Sequence, residues 1–184
     1  MPFDLQPVLL GDLLGVRPLR STDFDALYQV ARDPLIWEQH PVRDRYRRNL
    51  FTRFFAESLA SGGALAVTSA GGDIIGSSRF HGYDQRRSEV EIGWTFLARS
   101  YWGGQANRQL KALMLEHAFR FVERVVFLVG PDNRRSQRAL EKVGAVRVGT
   151  RPDAAGRDSF LFEIKRPAAG RDSPLARDRA THGP

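Results

Sequence analysis

Residues 88–121 constrain the fold more than any other part of the chain, because a strand there passes through a glycine turn directly into a long helix. The stretch SEVEIGWTFL is typical of a strand, and Gly103 and Gly104 stand between it and the helix. Apolar residues then recur at three- and four-residue steps, which predicts a helix with one face packed on a sheet. These residues are Ala106, Leu110, Leu113, Met114, Ala118 and Phe121.

The N-terminus of this helix is a candidate site for a phosphate group. The first N–H groups of a helix lack intrahelical partners and carry the positive end of the helix dipole. A glycine turn lets a phosphate approach these donors, although the same pattern also forms an ordinary strand-to-helix turn. The chain has neither the Walker pattern with Lys-Ser/Thr nor a GxGxxG sequence, so two familiar phosphate-binding loops are excluded.

The remaining segments predict a mixed α/β domain without internal repeats. In chain order they read as a strand, two helices, three strands, a helix, a strand, a helix and two strands. We expect one domain over residues 1–165, because a chain of 184 residues is long enough to bury a core. The apolar pattern ends after that point, so we expect residues 166–184 to form a disordered tail.

The composition is that of a globular protein, with 42% hydrophobic and 27% charged residues. No apolar run approaches the roughly 20 residues that cross a bilayer, and the N-terminal stretch lacks a basic leader. We therefore expect a cytoplasmic protein without a membrane partner. The chain has no cysteine, which excludes disulfides and thiolate ligands. Its histidines show no metal-ligand spacing, so we expect no metal: His40, His81, His117 and His182.

The formal net charge of +7 raises the question of a nucleic-acid partner. The arginines are scattered along the chain rather than massed on one predicted helix face. We therefore do not expect nucleic acid as the main partner. A positive surface does favour a polyanionic ligand, and a phosphate-bearing cofactor is such a ligand.

Several segments, taken in order, resemble the GNAT N-acetyltransferase superfamily and within it the RimJ/RimL-like branch. They are VEIGWTFLARSYWGG with the helix after it, then VVFLV, then NRRSQRALEKVGA. The N-terminal LRSTDFDALYQVARDPLIWEQHP and the C-terminal GRDSFLFEI also resemble that branch. The resemblance spans about residues 8–165 in the order that the family has.

This resemblance implies a mixed, mostly antiparallel central sheet, flanked by helices and splayed between two parallel strands, EIGWTFL and VVFLV. It implies that acetyl-CoA enters the gap as a cosubstrate. An open strand edge offers N–H and C=O groups to an amide-bearing ligand, which gives this arrangement a physical basis. The residues implied to bind the cosubstrate are Phe96, Leu97, Trp102, Gly103, Gly104, Gln105, Ala106, Asn107, Asn133 and Ser136.

The chain departs from the family pattern at three positions. Ser100 stands where the family usually has glutamine or arginine, and the adjacent Arg99 is a possible substitute. Gln105 stands where glycine is usual; we expect it to fit, because a residue in the first helical turn has a negative φ. Leu140 stands where many relatives have the tyrosine that protonates the leaving thiolate.

Transfer from a thioester to an amine requires a neutral amine, and the resemblance implies that Glu91 is the general base. Burial on a central strand raises the pKa of a carboxyl toward a useful range. Glu89, on the same face, is an alternative base, and either glutamate could instead pair with an arginine. The family also implies that Asn133 holds the pantetheine and that Ser136 protonates the thiolate. The same Asn-x-x-Ser pattern is a helix-capping arrangement.

We expect an N-acetyltransferase in which the amine attacks acetyl-CoA directly in a ternary complex. The acceptor is a protein N-terminal α-amine or a small-molecule amine such as a polyamine or an antibiotic; a non-catalytic CoA-binding sensor is the alternative. The oligomeric state stays open, and a homodimer is compatible with the sequence. Our candidates to line the acceptor cleft are Trp37, His40, Arg43, Phe80, His81 and Tyr83, of which the aromatic residues are also typical of a core.

Overall fold

The structure is a computed structural model that describes residues 2–168. Eight strands form one sheet in these residues, in the spatial order β1-β2-β3-β4-β5-β6-β8-β7. The strands are β1 Leu9–Leu10, β2 Leu14–Pro18, β3 Ala64–Ser69, β4 Ile74–Asp84, β5 Glu89–Leu97, β6 Arg124–Val129, β7 Val146–Pro152 and β8 Asp158–Lys165. The α-helices are α1 Phe24–Ala31, α2 Pro34–Trp37, α3 Arg48–Ala60, α4 Ala106–Ala118 and α5 Arg134–Lys142.

All neighbouring strands in the sheet run antiparallel except β5 and β6. The parallel pair is short, because its register runs only from Glu89 opposite Arg124 to Glu91 opposite Val126. Strand β6 continues to Val129 and pairs along its whole length with β8. The predicted mixed sheet, splayed between two parallel strands, is therefore confirmed.

Two apolar clusters cover the two faces of the sheet. On one face α4 contributes Leu110 and Met114, which pack with Phe80, Val90 and Ile92 of β4 and β5. On the other face α1 to α3 pack their own cluster against Ala66 and Phe96; it includes Leu27, Trp37, Phe51, Phe54 and Phe55. Because side chains alternate along a strand, neighbouring residues of β4 and β5 belong to different faces, which decides what lines the site.

Helix α2 is an element that the sequence pattern did not predict separately. Asp33 and Pro34, which follow α1, begin α2: the Asp33 carboxylate accepts from Leu35 N at 3.1 Å, and Pro34 occupies the first turn. Proline suits this position because it has no N–H to leave unpaired. The short strand β1 is likewise an addition to the predicted order.

The chain after β8 is described for only three more residues. Arg166 N donates to Glu123 O at 2.8 Å and its guanidinium to Val122 O, so the fold holds the chain one residue beyond the expected boundary at 165. Residues 169–184 of the predicted tail lie outside the described residues. Among the described residues, no helix is long and apolar enough to cross a membrane.

Candidate active site

The site begins where β5 parts from β6. Beyond Glu91, residues 92–97 of β5 have no partner strand on the β6 side within residues 2–168. Strand β6 stays paired with β8 on its other side to Val129, so the gap lies between the last part of β5 and the last part of β6. This edge can receive an extended, amide-bearing ligand as an additional strand.

A β-bulge in β5 accompanies the separation. The pairing of β5 with β4 shifts between Arg79 opposite Gly93 and Ser77 opposite Phe96, so Trp94 and Thr95 together face one residue, Ser78. Trp94 has φ 51°, which is unusual for a non-glycine residue. A bulge bends and twists its strand, and here it directs the second half of β5 away from β6.

The turn before α4 has the geometry of an anion site. Gly103 has φ 71°, a conformation that disfavours side chains, and a Cβ placed on Gly103 or Gly104 would meet no atom within 4 Å. Gln105 is the N-cap residue with φ −82°, as expected, and its side chain is exposed. No side chain of residues 2–168 caps this helix, so its first N–H groups are open to a ligand.

The two residues that flank this turn have structural partners. Arg99, expected to replace the family's residue at Ser100, donates from Nε to the carboxylate of Asp33 and so joins the turn to α2. Trp102 donates from Nε1 to Leu97 O at 3.0 Å, and the Arg135 guanidinium lies over its ring. Trp102 thus connects the end of β5 with the start of α5 across the gap.

Lys111 is a buried amine that sequence reasoning did not identify as a site residue. It lies on α4 with 5% of its surface exposed, and Nζ donates to Thr95 Oγ1 at 2.7 Å. Nζ also lies 5.6 Å from the Phe127 ring centre on β6, so Lys111 stands behind the gap. Burial lowers its pKa to about 7. The sequence feature that could have identified it is a lysine among the apolar residues of a helix surface that faces the sheet.

Glu91 and Glu89 have very different surroundings. Both oxygens of the Glu89 carboxylate are engaged: Arg151 lies at 2.7 Å and Arg124 at 2.9 Å. Within residues 2–168, the Glu91 carboxylate has neither a hydrogen bond nor an ion pair, and burial raises its pKa to about 7. Gly93 leaves room in front of it, because a Cβ there would lie 3.0 Å from Glu91 Oε1. Glu91 therefore titrates near neutrality at the point where the strands part.

A cavity of about 230 Å³ opens at the end of β6. Its wall includes His40 and Arg43 from the segment after α2, Asn133 before α5, and Arg157 with Ser159 from the β7–β8 hairpin. Asn133 Oδ1 accepts from Ser136 N at 3.1 Å and so caps α5, as the capping interpretation predicts. This cap does not prevent Asn133 from facing the cavity.

The structure brings together only some of the residues predicted to line an acceptor cleft. His40 and Arg43 line the cavity, and His81 pairs with Glu91 across β4 and β5. Trp37 lies on the same face but is 3% exposed in the core, where Nε1 donates to Ala31 O. Phe80 and Tyr83 pack in the cluster on the α4 face, so the structure does not place them with the others.

Two arginines on the α1–α3 face of the sheet were missed by sequence reasoning. Arg79, in the middle of β4, is 6% exposed and lies opposite Gly93. Arg45, in the 3-10 turn before α3, packs over the rings of Phe54 and Trp37. Arg79 could have been identified as a site residue because it is the charged residue in the strand IIGSSRFHGY. Arg45 stands among other arginines, so no feature of the sequence distinguishes it.

The family profile of the acetyltransferase (GNAT) domain matches residues 14–146. A search of curated protein sequences finds no significant match.

Solved structures with this fold include several acetyltransferases. A candidate acetyltransferase from T. thermophilus is 28% identical, with 90% of each chain covered and a TM-score of 0.70. RimJ of Mycobacterium smegmatis, solved with CoA-disulfide, is 22% identical, with 83% of this chain and 81% of that chain covered and a TM-score of 0.62. The ribosomal-protein-S5-alanine acetyltransferase of Vibrio fischeri is 16% identical, with 87% and 97% covered and a TM-score of 0.64.

Proposed function

The chain belongs to the GNAT acetyltransferase family, and we propose that it transfers the acetyl group of acetyl-CoA to the α-amine of a protein N-terminus. One observation carries the mechanistic part of this proposal: the half-buried Glu91 carboxyl has no ion pair or hydrogen bond within residues 2–168, and burial raises its pKa to about 7. It stands where the gap between β5 and β6 begins, so a reacting amine can reach both the carboxylate and a carrier in the gap.

The residues around the gap fit acetyl-CoA as the acetyl donor. The edge of β5 around Phe96 and Leu97 faces the pantetheine amides, which would share or replace the hydrogen bond from Trp102 Nε1 to Leu97 O, and the uncapped start of α4 offers N–H groups to the pyrophosphate. The open space at Gly103 and Gly104 lets a phosphate approach. In this proposal the donor contacts Phe96, Leu97, Trp102, Gly103, Gly104, Gln105, Ala106, Asn107, Asn133 and Ser136.

Glu91 removes the proton that the amine must lose. An α-amine has a pKa near 8, so its neutral form costs about 1.4 kcal/mol at pH 7, against about 4.6 kcal/mol for a lysine amine. A single carboxylate with a pKa of about 7 is suited to deprotonating an α-amine. The neutral amine then attacks the thioester carbonyl directly and forms the C–N bond. As the C–S bond breaks, the nitrogen loses its second proton to solvent and the thiolate takes a proton from Ser136, which solvent reprotonates, or from solvent itself. Asn133 holds the donor chain beside the cavity.

A small-molecule amine is the second candidate acceptor, because the cavity beside Asn133 measures only about 230 Å³. That volume holds a short amine or the first residues of a peptide. A CoA-binding sensor is the third reading, and the departures at Gln105 and Leu140 are its support.

Release of free CoA thiol from acetyl-CoA, measured with a panel of amines, tests these readings. The panel contains peptides with free N-termini, polyamines and aminoglycosides. We expect release with at least one class and its loss in Glu91→Gln, while Glu116→Gln, at an exposed position on α4, stays active. If calorimetry detects acetyl-CoA binding but no amine releases thiol, the sensor reading replaces this proposal.

A further inference from the structure

Arg79 is a buried cation whose hydrogen-bonding capacity is largely unused. The residue is 6% exposed, and its one hydrogen bond to residues 2–168 runs from Nη2 to Ser58 Oγ at 2.6 Å. Nε is the single buried side-chain N or O atom of these residues without a partner. The guanidinium carbon lies 4.3 Å from the centre of the Trp94 ring, which holds the group in place. A buried donor without an acceptor is costly, so it suggests a missing ligand.

Arg45 is a second cation on the same face without an acidic partner. Its guanidinium carbon lies 4.4 Å from the Phe54 ring centre and 5.2 Å from the Trp37 ring centre. Its polar contact is the His40 ring at 3.2 Å. Burial and then the nearby Arg157 charge lower the pKa of Arg45 to about 10, and Arg79 acts in the same direction. The two guanidinium groups therefore lie close enough to repel each other.

The two buried carboxylates of residues 2–168 are each paired with arginine. Asp23 binds Arg17 at 2.7 Å, and Glu89 binds both Arg124 and Arg151. By contrast, no carboxylate of residues 2–168 forms an ion pair with Arg79 or Arg45. Glu57, exposed on α3, raises the pKa of both arginines, and Glu91 also raises the pKa of Arg79, but burial outweighs these charges. Unpaired cations at this depth favour binding of an external anion.

Arg79 stands beside the amine-activating carboxyl, and Arg45 lies near enough to Arg79 for their charges to interact. Arg79 lies opposite Gly93, and His81, two residues on along β4, lies opposite Glu91. Arg79 and Glu91 are thus diagonal neighbours on one face, and such residues stand about 7–8 Å apart. An acceptor whose amine contacts Glu91 can therefore place a group one residue away against Arg79.

We propose, on the basis of the proposed function, that the acceptor carries a carboxylate close to its amine and that Arg79 and Arg45 bind this carboxylate. A guanidinium binds a carboxylate through charge-assisted hydrogen bonds in a fork geometry, which suits both side chains. Two sources share this chemistry: an N-terminal peptide with an acidic residue next to the first, and a free amino acid.

Matched acceptors test the proposal and separate the two sources. The peptide pair is Ala-Asp-Gly-Ala-amide and Ala-Asn-Gly-Ala-amide, and the small pair is alanine and alaninamide. We expect at least a tenfold higher kcat/KM for the acidic member of one pair, which identifies the source. Equal kcat/KM within both pairs, with measurable turnover, would overturn the inference and leave the acetyltransferase proposal standing.

Variants assign the effect to the arginines. Arg45→Met should lower kcat/KM for the acidic acceptor about tenfold or more and leave its neutral partner nearly unchanged. Arg53→Met, at an exposed position on α3, makes the same charge change and should change neither. Arg79→Gln should act like Arg45→Met, and if it fails to fold, Arg45→Met alone decides. A loss of equal size for both acceptors in Arg45→Met would refute the assignment.

A binding measurement separates this inference from the acetyl transfer itself. Succinate should raise the Tm of the wild-type protein more than succinamide does, and Arg45→Met should abolish the difference. If no amine is acetylated but this difference is present, the proposed function fails and the anion site stands. If transfer occurs but succinate gives no protection beyond that of succinamide, the anion site fails.

Discussion

The Arg135 guanidinium carbon lies 4.1 Å from the centre of the Trp102 ring, so the start of α5 contacts the turn before α4. Arg135 Nη2 also donates to Ile36 O in α2 at 2.8 Å. These contacts connect three segments across the wide end of the gap between β5 and β6. In the proposed function, a carrier that enters between these strands would pass the Trp102 ring and meet the Arg135 charge.

Trp102 should therefore report carrier binding. We expect its fluorescence to change when acetyl-CoA is titrated in, because the ring is 36% exposed and lies beside the proposed pyrophosphate site. Trp102→Phe should abolish most of the change. Trp37→Phe is the control, since Trp37 is 3% exposed and its indole N–H is bound to Ala31 O. A signal unaltered by Trp102→Phe would place the carrier elsewhere.

Glu91→Gln should lower kcat by roughly 10²- to 10⁴-fold, the usual contribution of a positioned general base. The wild-type kcat should also rise with pH through about 7, the pKa to which burial raises this carboxyl, and the variant should lack that rise. Acetyl-CoA affinity, measured by calorimetry, should stay unchanged. A variant that keeps the rise near pH 7 would assign it to another group.

The same carboxyl gives a stability test with a defined sign. Because the folded pKa of Glu91 lies above the ordinary value of 4.5, the folded state holds more protons than the unfolded state between about pH 4.5 and 7. The contribution of Glu91 to stability is thus present below that window and declines as pH rises through it. Glu91→Gln should therefore be more stable than wild type at pH 8 and not at pH 4.5, as denaturant unfolding can measure. Equal differences at both pH values would contradict the raised pKa.

Gly103→Ala should destabilise the protein by about 1 kcal/mol, because its φ of 71° disfavours a side chain. Gly104→Ala is the matched control: φ there is not positive, and a Cβ would likewise meet no atom within 4 Å. Urea unfolding compares the two variants. If Gly104→Ala costs as much as Gly103→Ala, backbone strain is not the cause.

The periodic part of this fold could be predicted from the sequence, and the site only in part. The helical spacing around Leu110 and Met114 sufficed for α4, because one apolar stripe determines both the element and its buried face. It was harder to predict which side chains of β4 lie on the same face of the sheet as Glu91. His81 and Phe80 are adjacent, yet they belong to opposite faces, and one residue of register decides which face is which.

Other features depend on contacts between distant segments. The bulge at Trp94 arises where β5 pairs with β4. Residue preferences do not predict a positive φ at a tryptophan. The choice between Glu89 and Glu91 as the unpaired acid depends on Arg151, which lies 62 residues from Glu89 along the chain. Sequence spacing places both glutamates on one face but does not say which of them finds an arginine.

Lys111 gives the last prediction, because an amine buried on α4 behind the gap must affect stability as it titrates. Burial lowers its pKa from 10.5 to about 7, so between these values the unfolded state holds more protons than the folded state. Stability therefore rises with pH across this window, by up to about 1.4 kcal/mol per pH unit from this group.

Lys111→Met keeps the length of the side chain and lacks the titration, so the wild-type protein should gain stability relative to this variant from pH 7 to 10. Denaturant unfolding measures the difference, with Lys142→Met, at an exposed position on α5, as the control that should show no such gain. A constant difference between wild type and Lys111→Met would mean that the buried amine stays protonated, and hence that its environment behind the gap is more polar than Thr95 alone provides.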